Sequence, residues 1–300
     1  MSPRRTDVLG AHVSTRDGVW RAPDRAAEIG ATAMQVFTKT PTQWREPRPT
    51  AAEVAAFRAA VRRAGLRAVV AHDSYLINLA APDAAQRSRS RAAFQAELSR
   101  CRAFGIPWVV AHPGHYLDDR AAGLERNARE LGACLAAVPG DVGVLLEGTA
   151  GAGTALGATF EELRALRAAL PRAQRARVGF CLDTAHLHAA GYDVARDAPG
   201  VLDAFDRAVG LAHLKCMHLN DSRAHLGSRL DRHEWIAEGE IGAPAFRALM
   251  RDPRLRAVTK IIETPKGEDA VANDRRMLKR LRAYARSGAP IAAREAPGAG

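Results

Sequence analysis

Residues Val178–His186 read VGFCLDTAH, an apolar run that ends in an aspartate and, three residues later, a histidine. A run that is apolar at almost every position is typical of a parallel strand buried on both faces. Eight such β-rich runs occur along the chain, each followed by an Ala, Arg, Leu and Glu stretch with helical spacing. The predicted strands are Val8–Ser14, Thr32–Thr38, Arg67–Ser74, Trp108–Gly114, Gly143–Thr149, Val178–His186, Leu214–Asp221 and Lys260–Pro265.

Helix start signals lie between these strands. Thr50 and Glu53 form a capping box before an amphipathic run that ends at Gly65, and Thr159 and Glu162 repeat the pattern. Further helices are predicted at Arg21–Glu28, Pro82–Phe104, Asp118–Ala137, Gly200–Val209, Ala243–Met250 and Glu268–Ser287.

Eight alternating strand and helix units predict an α/β fold, a single (β/α)8 TIM barrel with its site at the C-terminal face. A doubly wound open sheet is the alternative, but the first strand-to-helix connection, AHVSTRDG, lacks the glycine-rich dinucleotide turn. The barrel is expected to span residues 1–287, and residues 288–300, rich in Ala, Pro and Gly, are expected to form a flexible tail.

The composition is that of a soluble globular chain. Its 300 residues are 47% hydrophobic and 26% charged, and no apolar run approaches the ~18 residues that suggest a membrane span. The opening MSPRRTDVLG has no apolar stretch that could act as a signal peptide. The four cysteines show no C-x-x-C spacing, so we expect them to be reduced, in the cytoplasm. We also expect a monomer with no membrane partner.

The formal net charge of +11 favours a polyanionic partner, since clustered Lys and Arg release counterions from a phosphate backbone. A chain rich in Arg and Ala also arises when codon composition drives residue choice, however. Net charge alone therefore does not establish whether the partner is a nucleic acid, and the residues of the functional site must decide this.

Histidines and acids follow the predicted strands, where barrel enzymes keep their sites. A single one would ordinarily be a solvated residue, but six strands share the pattern: His72, His112, Glu147, Asp183 with His186, His218 and Glu263. Such groups repel one another unless cations neutralise them, so the cluster indicates metal. Nitrogen and oxygen donors suit Zn²⁺, with Mn²⁺ or Fe as alternatives. Cys181 and Cys216 lie two residues before Asp183 and His218, and are interpreted as core.

The loop Gly227–Glu234 adds Asp231 and His233, whose two-residue spacing aims both at one ion if the loop is extended. At three to four protein ligands each, the donors suffice for about three ions. Multi-metal sites of this kind carry out in-line displacement at phosphorus.

Several segments together resemble the endonuclease IV family, the tri-zinc barrel enzymes that cut DNA at apurinic and apyrimidinic sites. The resemblance runs in collinear order from Gly10 to about Leu281. It rests on GAHVS (10–14), AHDSYLINLA (71–80), AHPG (111–114), CLDTAH (181–186), AAGYD (189–193), MHLNDS (217–222), GSRLDRH (227–233) and EGEIG (238–242).

The resemblance implies three zinc sites, and nine positions hold the expected residue types. One ion would be held by His72, His112 and Glu147, and the third by His186, Asp231 and His233. The second would take Glu147, Asp183, His218 and Glu263, so that Glu147 bridges two ions. Among these ligands, Glu147, Glu263 and His112 are expected to be the catalytic ones.

The reaction implied by the resemblance is hydrolysis of the phosphodiester bond 5′ to an abasic deoxyribose, leaving a 3′-hydroxyl, and trimming of blocked 3′ ends. Double-stranded DNA is the implied partner. Tyr75 and Leu76 are placed to fill the space beside an extruded nucleotide. Gln43 matches the same surface, and Trp44 is interpreted as a buried aromatic.

Three positions depart from the family pattern. Thr42 stands where some relatives carry an arginine that enters the DNA stack, so either penetration is reduced or Arg45 takes that role. Gly148 replaces an asparagine and Ala185 a frequent cysteine. His12 and His115 are left open between supporting roles and purely structural ones. None of these is an implied ligand.

Two rival functions remain. A metal-dependent sugar isomerase or epimerase uses the same barrel but one or two ions, which would leave His186, Asp231 and His233 idle. A non-catalytic basic DNA-binding protein would bind DNA without cutting it. A metal count and an incision assay discriminate among the three.

Overall fold

The computed structural model describes residues 7–286, which form a closed parallel β-barrel surrounded by helices. The barrel strands are β1 Leu9–His12, β2 Ala33–Phe37, β3 Ala68–His72, β4 Trp108–Ala111, β5 Gly143–Glu147, β6 Val178–Asp183, β7 Leu214–His218 and, after the short strands β8 Asp221–Ser222 and β9 His233–Glu234, β10 Thr259–Ile262. Strand β1 pairs in parallel with both β2 and β10, which closes the sheet. The predicted TIM barrel is confirmed, and the open doubly wound sheet is wrong.

Helices follow the strands and cover the outside of the barrel. They are α1 Ala22–Glu28, α2 Ala51–Ala64, α3 Ala84–Phe104, α4 Arg120–Ala137, α5 Phe160–Ala169, α6 Arg172–Arg175, α7 Thr184–Ala190, α8 Val194–Ala208, α9 Gly242–Arg251 and α10 Ala270–Arg286. Among residues 7–286 no helix combines the length and the apolar character needed to cross a membrane. The predicted tail, residues 288–300, lies outside the described residues.

Helix α2 illustrates how the sequence sets the helix ends. The Thr50 hydroxyl accepts from the backbone N–H of Glu53, and the Glu53 carboxylate accepts from the N–H of Thr50. This capping box satisfies two backbone donors that the helix itself cannot reach. Gly65 ends the helix with a φ of 66°, a left-handed conformation that costs glycine little.

All eight predicted strands run past the C-terminal ends of the observed strands, and two of them show what ends the strand. The run Val178–His186 ends as a strand at Asp183, whose carboxylate caps α7 by accepting from the N–H groups of Ala185 and His186. The run Leu214–Asp221 ends at His218; Asp221 instead begins β8, which forms a short antiparallel pair with β9. The apolar content of a segment does not show where its hydrogen bonds to the adjacent strands stop.

One layer of side chains inside the barrel fixes the position of the site. It consists of Ala33, Val70, Val110, Leu145, Cys181, Cys216 and Ile261, all buried. Side chains two residues apart on a strand point to the same face. The next inward layer toward the C-terminal end is therefore Gln35, His72, His112, Glu147, Asp183, His218 and Glu263. The apolar layer is the floor of the polar one.

Candidate metal centre at the barrel mouth

Glu147, at the end of β5, lies at the centre of the polar layer and is fully buried. Its Oε2 lies 3.2 Å from Nε2 of His72 and 3.4 Å from Nε2 of His112. Its Oε1 lies 2.9 Å from Nδ1 of His218 and 3.4 Å from Nδ1 of His186. The two oxygens of one carboxylate thus face two different groups of imidazoles.

His218 joins three carboxylates. Its Nδ1 lies 3.1 Å from Glu263 Oε2 and 3.7 Å from Asp183 Oδ2, in addition to Glu147. These four residues place one ligand atom each within 4.8 Å of one another, as do His72, His112 and Glu147. Both groups have the composition and compactness of a metal site.

A third group comes from the helix and loop side of the mouth. The Asp231 carboxylate lies 3.2 Å from Nε2 of His186 and 3.1 Å from Nε2 of His233. Asp183 also belongs here, since its Oδ2 is 3.5 Å from Nε2 of His233. The third group is thus joined through Asp183 to the second.

The imidazoles of His72, His186, His218 and His233 share one arrangement. One ring nitrogen, here called the outer nitrogen, contacts a carbonyl or amide oxygen. The other, the inner nitrogen, faces carboxylate oxygens of the cluster. Backbone carbonyls only accept, so the nitrogen that contacts one carries the proton. The outer contacts are His72 Nδ1 to the carbonyl of Asp73 (3.0 Å), His186 Nδ1 to that of Gly148 (2.9 Å), His233 Nδ1 to that of Glu263 (3.3 Å), and His218 Nε2 to the Gln35 side chain (2.8 Å). Metal-binding histidines characteristically use their second nitrogen in this way.

The electrostatics of the cluster follow from burying many titratable groups together. Burial disfavours the charged imidazolium of His72, but the hydrogen bond and charge of Glu147, together with the charges of Asp73 and Glu263, raise its pKa to about 9. Burial lowers the pKa of His112 to about 4, although Glu147 opposes it. Burial also opposes ionisation of Glu147, yet the imidazoles of His218 and His112 hold its pKa well below the ordinary range. The carboxylates are therefore negative and require cationic neighbours.

Sequence reasoning missed two residues that orient this cluster, Gln35 and Asn220. The Gln35 amide nitrogen donates to Glu263 Oε1 at 2.6 Å. Asn220 donates to Asp183 Oδ2 at 2.7 Å and accepts from the backbone N–H of Glu263 at 2.7 Å. A glutamine inside the otherwise apolar strand AMQVF was a signal that could have revealed Gln35.

His12 and His115, whose roles the sequence left undecided, differ in position. Nδ1 of His12 lies 3.0 Å from Glu263 Oε1 and 3.0 Å from Nε2 of Gln35, so His12 supports the same carboxylate. His115 is exposed, and its backbone N–H and carbonyl are both bonded to the side chain of Asn78.

The residues predicted to contact DNA surround the cluster without joining it. Tyr75 is 65% exposed, and its ring packs edge-on against Phe37 with centroids 5.3 Å apart; Leu76 is half-buried. Tyr75 lines a cavity of 830 Å³ at the mouth, whose basic residues are Arg16, Lys39, Arg223, Arg232 and Lys266.

Gln43 and Arg45 are exposed and line a second cavity of 350 Å³, which shares Thr15, Lys39 and Thr40 with the first. Trp44 between them is half-buried beneath the guanidinium of Arg89, 4.3 Å from its ring centroid. The loop therefore presents its polar residues to solvent and packs its aromatic one.

The closed barrel and the cluster of histidines and carboxylates at its C-terminal face define the class: a TIM-barrel protein with a candidate metal centre. The model of the xylose isomerase-like TIM barrel family matches residues 23–281. A probable endonuclease 4 of Geobacter sulfurreducens is 48% identical over 267 residues, which are 88% of this chain and 90% of that protein. Another from Chloroflexus aggregans is 48% identical over 93% of this chain and 98% of its own.

Among solved structures, endonuclease IV from Thermus thermophilus superposes with a TM-score of 0.81. It is 40% identical and covers 92% of this chain and 98% of its own. The chain belongs to the endonuclease IV family. The family and the endonuclease class of enzyme predicted from the sequence motifs are thereby confirmed.

Proposed function

We propose that the protein hydrolyses the phosphodiester bond 5′ to abasic sites in double-stranded DNA, and trims blocked 3′ ends, with three zinc ions bound at the barrel mouth. The observation that carries the proposal is the common orientation of the His72, His186, His218 and His233 imidazoles. Each uses its outer nitrogen for a hydrogen bond and turns the inner one toward carboxylate oxygens. The relatives named endonuclease support the same reaction class.

The donor set fits zinc, which binds imidazole nitrogen and carboxylate oxygen. The inner nitrogen of His233 is buried, and neither the Asp231 oxygen 3.1 Å away nor the Asp183 oxygen 3.5 Å away meets it in hydrogen-bond geometry. A buried nitrogen without a partner is costly unless a ligand satisfies it. The proposed sets are His72, His112 and Glu147; Glu147, Asp183, His218 and Glu263; and His186, Asp231 and His233.

Glu147 is suited to bridge the first two sets, because its two oxygens face His72 and His112 on one side and His218 on the other. When bound, zinc ions lower the pKa of water and stabilise negative charge on a leaving oxygen. The chain's own part is to orient the donors, to hold Glu147 and Glu263 ionised and to leave the His112 side chain 37% exposed.

DNA binding follows from the surroundings of the mouth. The basic side chains of the 830 Å³ cavity suit backbone phosphates, and counterion release by such contacts contributes affinity. An abasic nucleotide lacks stacking and pairing, so its extrusion costs little. Tyr75 and Leu76 beside the cluster are proposed to fill the space it leaves, with Gln43 and Arg45 contacting the strand nearby.

The experiment is incision of a duplex with one abasic site by purified protein, before and after chelation and again after zinc is restored, with zinc counted per chain. Chelation should abolish incision and zinc restore it. Glu147→Gln should lose most activity, whereas Glu130→Gln, which alters another buried glutamate on α4, should not. Incision by metal-free protein would refute the proposal, and one ion per chain without incision would favour a sugar isomerase or epimerase.

A further inference from the structure

The floor beneath the polar layer contains two thiols among apolar side chains. Cys181 on β6 and Cys216 on β7 are paired in register on adjacent strands, and both point into the barrel. Both are fully buried, as is His218, which lies two residues beyond Cys216 on the same strand. None of the three proposed zinc sets uses either thiol.

These three side chains form a compact donor group of their own. One ligand atom from each of Cys181, Cys216 and His218 lies within 4.8 Å of the other two. Small side-chain rotations bring donors at that spacing to one ion, since metal–sulfur and metal–nitrogen bonds are about 2.3 and 2.0 Å long. The other two cysteines, Cys101 and Cys134, lie singly on α3 and α4.

We propose that Cys181, Cys216 and His218 form a fourth cation site, selective for thiophilic divalent ions such as Cd²⁺. Thiolate donors prefer soft cations, whereas the layer above offers only nitrogen and oxygen donors. Binding forms two sulfur–metal bonds and one nitrogen–metal bond, and it releases the two thiol protons to solvent.

Occupation of this site has a consequence for the layer above, because His218 belongs to both. An ion held by the thiols draws the imidazole away from Glu147 and Glu263, which it now faces at 2.9 and 3.1 Å. The site would therefore act as a point of inhibition by soft metals. This consequence, unlike the binding itself, rests on the proposed function.

The binding experiment titrates metal-free protein with CdCl₂ and follows the ultraviolet charge-transfer band of cadmium–thiolate bonds. Cadmium bound only to imidazoles and carboxylates gives no such band. The wild type should develop the band with one equivalent of cadmium, and Cys216→Ala and Cys181→Ala should each lose it. Cys134→Ala, which removes a buried thiol elsewhere, should retain it. Absence of the band in the wild type, or an undiminished band in Cys216→Ala, would overturn the proposal.

The inhibition arm adds CdCl₂ to the zinc-loaded enzyme during incision of abasic DNA. Wild type and Cys134→Ala should lose incision at a lower cadmium concentration than Cys216→Ala does. Equal sensitivity of all three would refute the inhibitory role. A wild type that shows the band but never incises DNA would refute the proposed nuclease function and leave the cation site standing.

Discussion

Gln35 accepts a hydrogen bond from Nε2 of His218 at 2.8 Å, across the barrel from β7 to β2. Its amide nitrogen donates to Glu263 at 2.6 Å, so the orientation of the amide is fixed at both ends. Because Nε2 of His218 is engaged by Gln35, Nδ1 is the nitrogen that faces the carboxylates and is left for a metal ion. One glutamine thus sets the direction of a proposed ligand.

We expect Gln35→Met to lower zinc affinity about 10- to 100-fold, the usual effect of removing a group that orients a ligand. Methionine is similar in length but leaves His218 and Glu263 without their shared partner. The measurement is zinc retained per chain against a competing chelator, with a thermal melt to show that the barrel stays folded. Gln86→Met, an exposed position on α3, is the control. Equal zinc retention in both variants would contradict the role assigned to Gln35.

A buried charge network anchors the loop that carries Gln43 and Arg45. The Glu46 carboxylate lies 2.5 Å from the guanidinium of Arg100 and 3.1 Å from Nζ of Lys39, and the side chains of both cations are 3% exposed. Glu46→Gln should lower the free energy of unfolding by about 1.5–3 kcal/mol, the usual range for a hydrogen bond to a charged group. It should also speed hydrogen exchange in residues 40–49.

The exchange and unfolding measurements on Glu46→Gln use Glu125→Gln, an exposed glutamate on α4, as the control. Zinc content should be unchanged, because Glu46 is not among the proposed ligands. Faster exchange spread over the whole barrel rather than confined to the loop would show that the network supports the fold generally.

Tyr75→Ala separates lesion recognition from chemistry. A stacking contact is worth about 1–3 kcal/mol, so binding to abasic duplex should weaken roughly 5- to 150-fold. Binding to intact duplex should change little, since no nucleotide is extruded there. Paired affinities and a zinc assay test this, with Tyr284→Ala on α10 as the same substitution far from the mouth. Equal losses on both duplexes would assign Tyr75 to general DNA contact instead.

Lys260 makes stability depend on pH. Its ammonium group, on β10, donates to the carbonyls of Leu255 and Val258, and burial lowers its pKa from 10.5 to about 8. Between these values the unfolded chain binds a proton that the folded chain does not. The free energy of unfolding should therefore gain up to about 3 kcal/mol as the pH rises through this window.

Lys260→Met should remove this gain. Urea unfolding at pH 7.5, 9 and 10.5 tests it, because the difference between variant and wild type cancels the other titrating groups. Lys215→Met, at an exposed position of β7, is the control and should keep the wild-type slope. Parallel pH dependences for wild type and Lys260→Met would show that the buried lysine titrates normally.

The sequence predicted the barrel because its signals are local. Apolar runs, turn residues and capping boxes such as Thr50 with Glu53 are readable within one segment. It also predicted the position of polar residues at the strand ends. The sequence did not show that Asp183 ends β6 by capping α7. Nor did it show that Gln35, which is not ionisable, belongs to the polar layer, because its partner His218 is distant in the chain. The ligand roles of these residues stay predictions until a metal is measured.

Closure of the sheet between β1 and β10 also governs when the site can exist during synthesis. A ribosome extends the chain from its N-terminus, and the clustered side chains run from His72 to Glu263. A nascent chain that stops before residue 263 has neither the last carboxylate nor the strand that completes the circle. Premature termination should therefore yield inactive protein rather than a weakened or unregulated nuclease, a useful safeguard for any enzyme that cuts the genome.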